Sequence, residues 1–371
     1  MIKKSITDLQ FDIRKIAEYA SQKVGCIRAD IGEPHYSPSK KFSEILKNII
    51  PDEKFEYAPT FGVPKLIEAV KFFEYKKYEN FRSPQICITA GAQAGIFSVC
   101  NAVLSKGDEI LVHKAYYPPY KNIATLCDAK LIDIDFYDIE LLESTITKNT
   151  KMIIVNSPNN PTGEIFSEEI LKKIAQYAQK HNLLILSDDV YDRLLFSENT
   201  KNSHISEFAP ERTIACNSVS KSLCLTGARI GWILGEKNLI SEIAKVHRNI
   251  NSCPNSTFQS AIADFLPESK EFLDMFSKEL EMRAQKISTV FINLGWEFIF
   301  PKGGMYIWVK IPFCYNEMSG EEFVSFLIDT VGVSGIPGGM FGKENDEYVR
   351  FCFGALRGEE IEELRKRMSN L

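Results

Sequence analysis

One short stretch of the sequence carries side chains that suit the two ends of a single small molecule, an aldehyde and a phosphate. Lys221 lies in the segment 218–222, SVSKS, and its amine can hold an aldehyde as a Schiff base. Ser218 precedes it by three residues and Arg229 follows it by eight, at spacings that suit a grip on a phosphate. Because most lysines are solvated surface charges, it is these neighbours that favour a chemical role for Lys221.

Two charged residues stand in apolar surroundings, and each therefore needs a partner of opposite charge. Asp188 follows the apolar run 183–187, where a carboxylate finds a cation or suffers a large desolvation penalty. Arg350 is the lone charge in 348–351, YVRF, a stretch typical of a strand. Its anion is either the carboxylate of a small molecule, held by a bidentate bridge, or a protein carboxylate in a structural ion pair.

A glycine after an apolar run offers a site for an anion. Gly91 lies in 90–93, AGAQ, and lets the backbone turn so that the amides of Ala92 and Gln93 point at a phosphate. A tight turn that binds nothing is the alternative.

The elements that must position these residues are short strands of a mostly parallel sheet. Between residues 86 and 235, apolar runs alternate with segments of helical period, which indicates an α/β fold. The runs are unbroken rather than alternating, as expected of strands buried on both faces. They comprise 86–89, 110–112, 152–155, 183–186 and 213–215.

One of the helices between the runs can be located by its first turn. Ser167 is expected to cap it, with acidic residues following, and Ile170, Ile174 and Ala178 recur on one face. The candidate ligand residues stand at the carboxyl ends of the strands, where such a sheet binds its ligands. Any doubly wound domain would show the same runs, so the runs alone assign no function.

Six motifs, in the same order along the chain, resemble those of the class I/II aminotransferases, the aspartate aminotransferase family of fold-type I enzymes that use pyridoxal 5'-phosphate (PLP). PLP carries both an aldehyde and a phosphate. The resemblance covers nearly the whole chain and implies a large domain with a mostly parallel sheet at 36–265. It implies a smaller α+β domain formed by 1–35 and 266–371, joined through a helix over 269–294. The motifs are 32–34 (GEP), 90–93 (AGAQ), 156–163 (NSPNNPTG), 187–191 (SDDVY), 218–231 (SVSKSLCLTGARIG) and 349–350 (VR).

The resemblance implies three catalytic residues, Lys221 on the aldehyde, Asp188 on the pyridine nitrogen and Tyr191. Asn160 and Tyr191 would reach the phenolic oxygen, and Tyr117 would stack on the ring. A core position for Tyr191 and a hydrophobic surface turn for Tyr117 are the alternatives. The full set of cofactor-binding residues that the resemblance implies is Tyr57, Ala92, Gln93, Tyr117, Asn160, Asp188, Tyr191, Ser218, Lys221 and Arg229.

The same resemblance implies a substrate site and an assembly. Gly32, Asn160 and Arg350 would bind the substrate, Arg350 and Gly32 by its α-carboxylate, although the stretch around Gly32 is also an ordinary loop opening. Tyr57 would reach the phosphate of a neighbouring subunit, which implies a homodimer with shared active sites. A packed loop tyrosine is the other interpretation.

The implied activity is the transfer of an amino group between an L-amino acid and a 2-oxo acid through PLP, with ping-pong kinetics and Lys221 as proton carrier. The alternatives are a PLP-dependent C-S β-lyase on the same fold and a non-catalytic regulator that keeps the fold. In some relatives that act on dicarboxylates a lysine stands where this chain has Gln93. Arg28 and Lys302 are other basic residues that would suit a distal carboxylate.

Composition excludes several other classes of protein. The chain has 371 residues and a formal charge of −5, which argues against a nucleic-acid partner. No apolar stretch suits a signal peptide or a membrane span, so we expect no membrane partner and a cytoplasmic enzyme. Nine scattered cysteines without metal-ligand spacing are typical of a reducing compartment, and no metal site is expected.

Overall fold

The strands form three sheets in the computed structural model, which describes residues 4–7, 9, 12–197 and 200–371. Residues 1–3, 8, 10 and 11 of the expected small domain and 198–199 of the expected large domain lie outside the described residues. In chain order the strands are β1 (Ile27–Arg28), β2 (Pro84–Thr89), β3 (Glu109–His113), β4 (Lys130–Ile134), β5 (Thr150–Asn156), β6 (Leu184–Asp188), β7 (Thr213–Ser218), β8 (Gly231–Glu236), β9 (Phe298–Ile299), β10 (Tyr306–Lys310), β11 (Val333–Ser334), β12 (Ile336–Pro337) and β13 (Tyr348–Cys352).

The central sheet has the strand order β2-β8-β7-β6-β5-β3-β4. β8 is antiparallel to β2 and β7, and every other neighbouring pair is parallel. The predicted α/β fold with a mostly parallel sheet is therefore confirmed, and the five apolar runs are β2, β3, β5, β6 and β7. Ile153 and Ile185, which face each other in the ladder, are fully buried, as a sheet covered on both faces requires.

Helices cover both faces of this sheet. Ile96 and Ile240 pack with Ile154 on one face, and Ile174 packs with Ile153 on the other, because successive side chains of a strand point to opposite faces. Within the described residues, no helix is both long and apolar enough to cross a bilayer. The α-helices are α1 (Lys4–Thr7), α2 (Asp12–Ser21), α3 (Lys40–Ile49), α4 (Pro64–Phe73), α5 (Tyr75–Tyr78), α6 (Ala92–Val103), α7 (Pro119–Leu126), α8 (Ile139–Thr145), α9 (Glu168–Lys180), α10 (Val219–Ser222), α11 (Lys237–Asn251), α12 (Ser256–Phe265), α13 (Lys270–Leu294), α14 (Gly320–Thr330) and α15 (Gly358–Met368).

Helix α9 begins where the sequence predicts. The hydroxyl of Ser167 accepts a hydrogen bond from the N–H of Ile170 at 3.4 Å, a cap that contributes about 1 kcal/mol. Ile174 and Ala178 are fully buried against the sheet. The capping serine and the apolar face together explain why this segment is helical.

The remaining strands lie in two small sheets. One is antiparallel with the order β12-β13-β10-β9, and the other pairs β1 with β11 in parallel. Trp308, Leu327 and Phe351 belong to a core that also includes residues of α2, α13 and α15. The long helix predicted over 269–294 is α13, which ends at Gly295 in a left-handed conformation with φ of 70°. The division of the chain at 36 and 265 stays a prediction.

Candidate active site

The carboxyl ends of β2, β5, β6 and β7 meet at one edge of the central sheet. Asn156, Asp188 and Ser218 are the last residues of β5, β6 and β7, and Gly91 follows β2 by two residues. The sequence folds this way because each apolar strand ends where a polar or turn residue interrupts it. Such an edge is where open α/β sheets bind ligands.

Asp188 is a buried carboxylate with an unused oxygen. Its Oδ2 accepts a hydrogen bond from the Tyr120 hydroxyl at 2.5 Å, whereas Oδ1 has no hydrogen-bond partner among the described residues. Burial raises the pKa of Asp188 to about 6, the charge of Asp189 adds to the rise, and the Tyr120 hydrogen bond acts against it. A buried carboxylate of this kind fits the protonated ring nitrogen of PLP.

Lys221 lies one short helix beyond β7, in α10. Its Nζ donates a hydrogen bond to the carbonyl oxygen of Gly32 at 2.5 Å. Burial lowers the pKa of Lys221, and the positive charges of Arg350 and Arg229 lower it further. Because the neutral amine is the nucleophilic form, this environment fits attack on the aldehyde of PLP.

Gly91 and Arg229 lie together where the sequence predicts the phosphate end of the site. Gly91 has φ of 80° and precedes α6. Because glycine has no side chain, it cannot cap the N–H groups of Ala92 and Gln93 in the first turn of that helix. The Arg229 side chain lies so close that a Cβ on Gly91 would be 2.6 Å from its Nη2. The hydroxyl of Ser218 accepts a hydrogen bond from the N–H of Ser220 at 3.4 Å, and its own hydrogen can still be donated. Helix N–H groups beside a guanidinium fit a phosphate.

The polar side chains predicted around the ring are buried at the same edge. Asn160 is 3% exposed, and its Oδ1 accepts a hydrogen bond from Nη1 of Arg350 at 3.2 Å. The Tyr191 and Tyr306 hydroxyls are 2.9 Å apart. Burial and the charge of Asp188 raise the pKa of Tyr117 to about 12, although Arg350 and Arg229 lower it, so Tyr117 lies within electrostatic reach of all three.

Arg350 is held mostly by neutral groups. Its Nη2 donates a hydrogen bond to the Asp30 carbonyl at 2.9 Å, and the Tyr306 and Phe341 ring centres lie 4.4 and 4.9 Å from its Cζ. Its Nε has no partner among the described residues, and no described carboxylate lies within 4.0 Å of it. Arg350 therefore forms no structural ion pair with a described residue, and its unused Nε fits an anionic ligand.

Tyr57 lies apart from these residues. Its side chain is 88% exposed, in a surface depression that Cys253 and Pro254 also line. An adjacent depression, which shares Cys253 and Pro254, includes Ala90 and Arg229. A single chain thus leaves this tyrosine on the surface beside the phosphate end.

Three aromatic residues of the site were not predicted from the sequence. Tyr120 contacts Asp188, Tyr306 contacts Tyr191, and Phe341 stacks on Arg350. Tyr120 stands three residues after Tyr117 in a single turn of chain, which is the one sequence signal that would have indicated it. Tyr306 lies far from the others along the chain and reaches the site only through the small antiparallel sheet.

A buried cluster of charges lies behind Asp188. Lys77 is 2% exposed, and its Nζ lies 2.9 Å from Asp189, 2.7 Å from Asp192 and 3.1 Å from Glu74. The Asp189 carboxylate binds Lys77 and caps no helix, because no α-helix of the described residues begins there. The ligand atoms of Asp189, Asp192 and His204 lie within 4.8 Å of one another, but the Lys77 ammonium already contacts both carboxylates, where a metal ion would have to bind.

Comparisons with known proteins agree with this geometry. The sequence profile described as aminotransferase class I and II matches residues 26–368. An aspartate aminotransferase from Pyrococcus horikoshii is 32% identical over 367 residues, which cover 95% of this chain and 93% of that protein. A probable N-acetyl-LL-diaminopimelate aminotransferase from Bacillus subtilis is 30% identical, with 92% and 88% covered. The crystal structure of an aromatic aminotransferase from Pyrococcus horikoshii OT3 superposes with a TM-score of 0.88 at 25% identity, covering 96% of this chain and 98% of that one.

Proposed function

Because this chain belongs to the aminotransferase class I and II family, we propose that Lys221, Asp188 and Arg350 divide its chemistry between them. The fold is that of fold-type I enzymes, and the activity is the PLP-dependent transfer of an amino group between an amino acid and a 2-oxo acid. The observation that carries the proposal is the buried Asp188 carboxylate, which has an oxygen to spare and a pKa raised by burial. PLP, when bound, supplies an electron sink for the carbanion that forms when the substrate loses its α-proton.

Lys221 is the nucleophile and the proton carrier. Burial lowers its pKa and so favours the neutral amine, which would hold the aldehyde of PLP, and the Gly32 carbonyl orients that amine. With PLP and substrate bound, the free Lys221 amine would accept the α-proton of the substrate and return it as an acid, which is the role of a proton carrier. The same residue serves the reverse half-reaction with the second 2-oxo acid, as ping-pong kinetics require.

Asp188 would hold the ring nitrogen of PLP and favour its protonated form. Two unit charges about 4 Å apart at an effective dielectric constant near 20 attract by roughly 4 kcal/mol, or about three pKa units. Asn160 and Tyr191 would donate hydrogen bonds to the phenolic oxygen of PLP and so stabilise its anionic form. Tyr117 stacks on the ring, and its part-buried position beside Tyr120 supports this role.

Arg350 binds the α-carboxylate of the substrate, with Gly32 and Asn160 beside it. The unused Nε and the stacked aromatic rings support this role, because they leave the guanidinium fixed and without a carboxylate of its own. Recognition of the α-carboxylate would be common to every substrate. The side chain of the preferred amino acid is a separate question that a substrate screen addresses.

The enzyme is a homodimer with shared sites, in which Tyr57 of each subunit reaches the phosphate of the other. The support is a tyrosine that is 88% exposed beside the phosphate end of the site. We place the enzyme in the cytoplasm, because all nine cysteines are free thiols, as a reducing compartment favours.

The activity is tested by incubating the purified protein and PLP with single amino acids and either 2-oxoglutarate or pyruvate. Formation of the amino acid that corresponds to the acceptor is expected. Release of pyruvate and ammonia from a cysteine conjugate, without any acceptor, would instead indicate a C-S β-lyase.

Lys221→Ala is expected to abolish the covalent link to PLP, because Lys221 alone matches the lysine position of the family motif. Borohydride reduction followed by mass spectrometry should find a pyridoxyl group on the wild-type protein and none on the variant. Lys245→Ala, which removes an exposed lysine of α11 paired with Glu242, is the control and should be labelled like the wild type. A reduced link in the Lys221 variant would refute the assignment.

A further inference from the structure

A short segment without regular structure, residues 29–33, contacts two side chains of the proposed site, Arg350 and Lys221. The carbonyl of Asp30 accepts a hydrogen bond from Nη2 of Arg350 at 2.9 Å. The carbonyl of Gly32 accepts one from Nζ of Lys221 at 2.5 Å. This segment therefore contacts both functional side chains, Arg350 through Asp30 and Lys221 through Gly32.

The side chain of Asp30 anchors the segment. It is 2% exposed, and Nε and Nη2 of Arg28 each donate to one of its oxygens at 2.8 Å, which is the bidentate arrangement that fixes geometry best. The hydroxyl of Ser334 donates a further hydrogen bond to the same carboxylate. Arg28 and Ser334 are paired in the ladder between β1 and β11, so the anchor is built into that sheet.

The backbone on either side of Asp30 is fixed as well. The carbonyl of Ala29 accepts a hydrogen bond from the N–H of Cys352 at 2.7 Å. Cys352 lies on β13, two residues after Arg350, and points the same way along the strand. The Asp30 carbonyl is thus held between its own anchored side chain and the strand that carries the arginine.

We propose that Asp30 is a positioning residue for the substrate carboxylate, and that its ion pair with Arg28 aims the backbone carbonyl that orients Arg350. This rests on the proposed function, because it takes Arg350 as the group that binds the α-carboxylate. It also gives Arg28 a role other than the distal-carboxylate contact considered from the sequence, since two of its donors are committed to Asp30.

The mechanism is geometric. Arg350 makes two hydrogen bonds to the protein. The rings of Tyr306 and Phe341 restrain the tilt of its guanidinium but do not fix how the group rotates within its own plane. The two hydrogen bonds, to Asn160 and to the Asp30 carbonyl, together restrain that rotation, and the one to Asp30 is the shorter. When the Asp30 carbonyl is displaced, the unused Nε is held less firmly, which weakens a bidentate bridge to the substrate carboxylate.

The test uses the holoenzyme with Asp30→Asn, which keeps the shape of the side chain and removes its charge. KM for the amino donor and for the 2-oxo acid should each rise about tenfold, with kcat changed less than about twofold, because the reacting groups stay in place. Calorimetric binding of two non-reacting acids, maleate and 3-phenylpropionate, gives a second readout. Whichever acid binds the wild type should bind the variant about tenfold more weakly.

Arg28→Met is the second variant, and it should give the same pattern if the ion pair is what matters. Arg367→Met is the matched control: Arg367 donates to the carbonyls of Gly25 and Gly332, beside the same two strands, but has no link to Arg350. It should leave KM and acid binding unchanged. An equal rise in the control would show a general loosening of this region and would overturn the proposal.

A double variant separates this inference from the proposed function. Arg350→Ala alone should weaken acid binding, and adding Asp30→Asn to it should cost less than about twofold more, because the group through which Asp30 acts is gone. A further tenfold loss would mean that Asp30 acts independently, and the inference fails while Arg350 keeps its role. If Arg350→Ala binds the acids normally, the carboxylate assignment itself is wrong and Asp30 falls with it.

Discussion

At the scale of single residues, Asp188 is a carboxylate whose surroundings favour its protonated form. Its pKa is raised from 3.8 to about 6, so the folded protein without cofactor binds this proton more tightly than the unfolded chain does. The stabilising contribution is present below about pH 4 and is lost as the pH rises through 6. At pH 7.5 the ionised group costs roughly 3 kcal/mol.

Asp188→Asn should therefore stabilise the cofactor-free protein at pH 7.5 by up to about 3 kcal/mol and have little effect near pH 4. Asparagine can still accept the Tyr120 hydrogen bond, so packing is retained. Urea unfolding at the two pH values measures the difference. With PLP bound the order should reverse, because the wild type then gains the ion pair that the variant lacks. Equal stability of both proteins at pH 7.5 would contradict the raised pKa.

The sequence indicated the charged residues of the site better than the aromatic ones. Asp188 and Arg350 stand out because a charge in an apolar run needs a partner, and Lys221 stands out through its neighbours. A tyrosine carries no such signal, since Tyr120 and Tyr306 are equally at home in a core. The anchor formed by Arg28 and Asp30 was also missed, because their bidentate contact depends on how β1 meets β11.

At the scale of elements, the turn between β2 and α6 combines a left-handed backbone with close packing. Gly91→Ala should weaken PLP binding at least about tenfold, because the new methyl group meets the Arg229 side chain and φ of 80° is unfavourable for alanine. Fluorescence titration of the cofactor-free protein gives the dissociation constant.

The control for that experiment is Gly107→Ala. Gly107 also has a positive φ, 91°, but a Cβ there would meet nothing within 4 Å. It should lose similar backbone stability and keep normal affinity for PLP. If both variants lose affinity alike, backbone strain and not the contact with Arg229 explains the effect.

Strands buried on both faces were predictable because their apolar runs are continuous. β4 was not, since it is an edge strand in which only Ile134 is buried, and β8 was not, since glycines flank its short apolar run. The two-residue strands β1, β9, β11 and β12 carry no pattern of their own and exist only through their partners.

At the scale of the whole molecule, the proposed dimer can be tested by complementation. Tyr57→Ala subunits and Lys221→Ala subunits should each be inactive at limiting PLP. In a mixed dimer, one site combines an intact Lys221 with an intact Tyr57 from its partner. If the subunits pair at random, co-expression should therefore make about a quarter of all active sites functional.

Mixing Lys221→Ala subunits with subunits that carry both substitutions is the matched control and should restore nothing. Titration of active sites in the purified mixture provides the count. No recovery in the first mixture, with dimers shown to have formed, would exclude a site shared through Tyr57. The sequence predicted this assembly through a motif alone, and the structure adds that Tyr57 is exposed in the single chain.

The order of the site residues along the chain also bears on how the enzyme is made. All residues of this chain proposed to hold PLP lie at or before position 229, whereas Arg350 follows 121 residues later. At a typical translation rate of 5 to 20 residues per second, the ribosome needs roughly 6 to 24 s to cover that interval. The growing polypeptide thus contains all of its own proposed cofactor contacts well before it contains Arg350, the residue proposed to bind the α-carboxylate of the substrate.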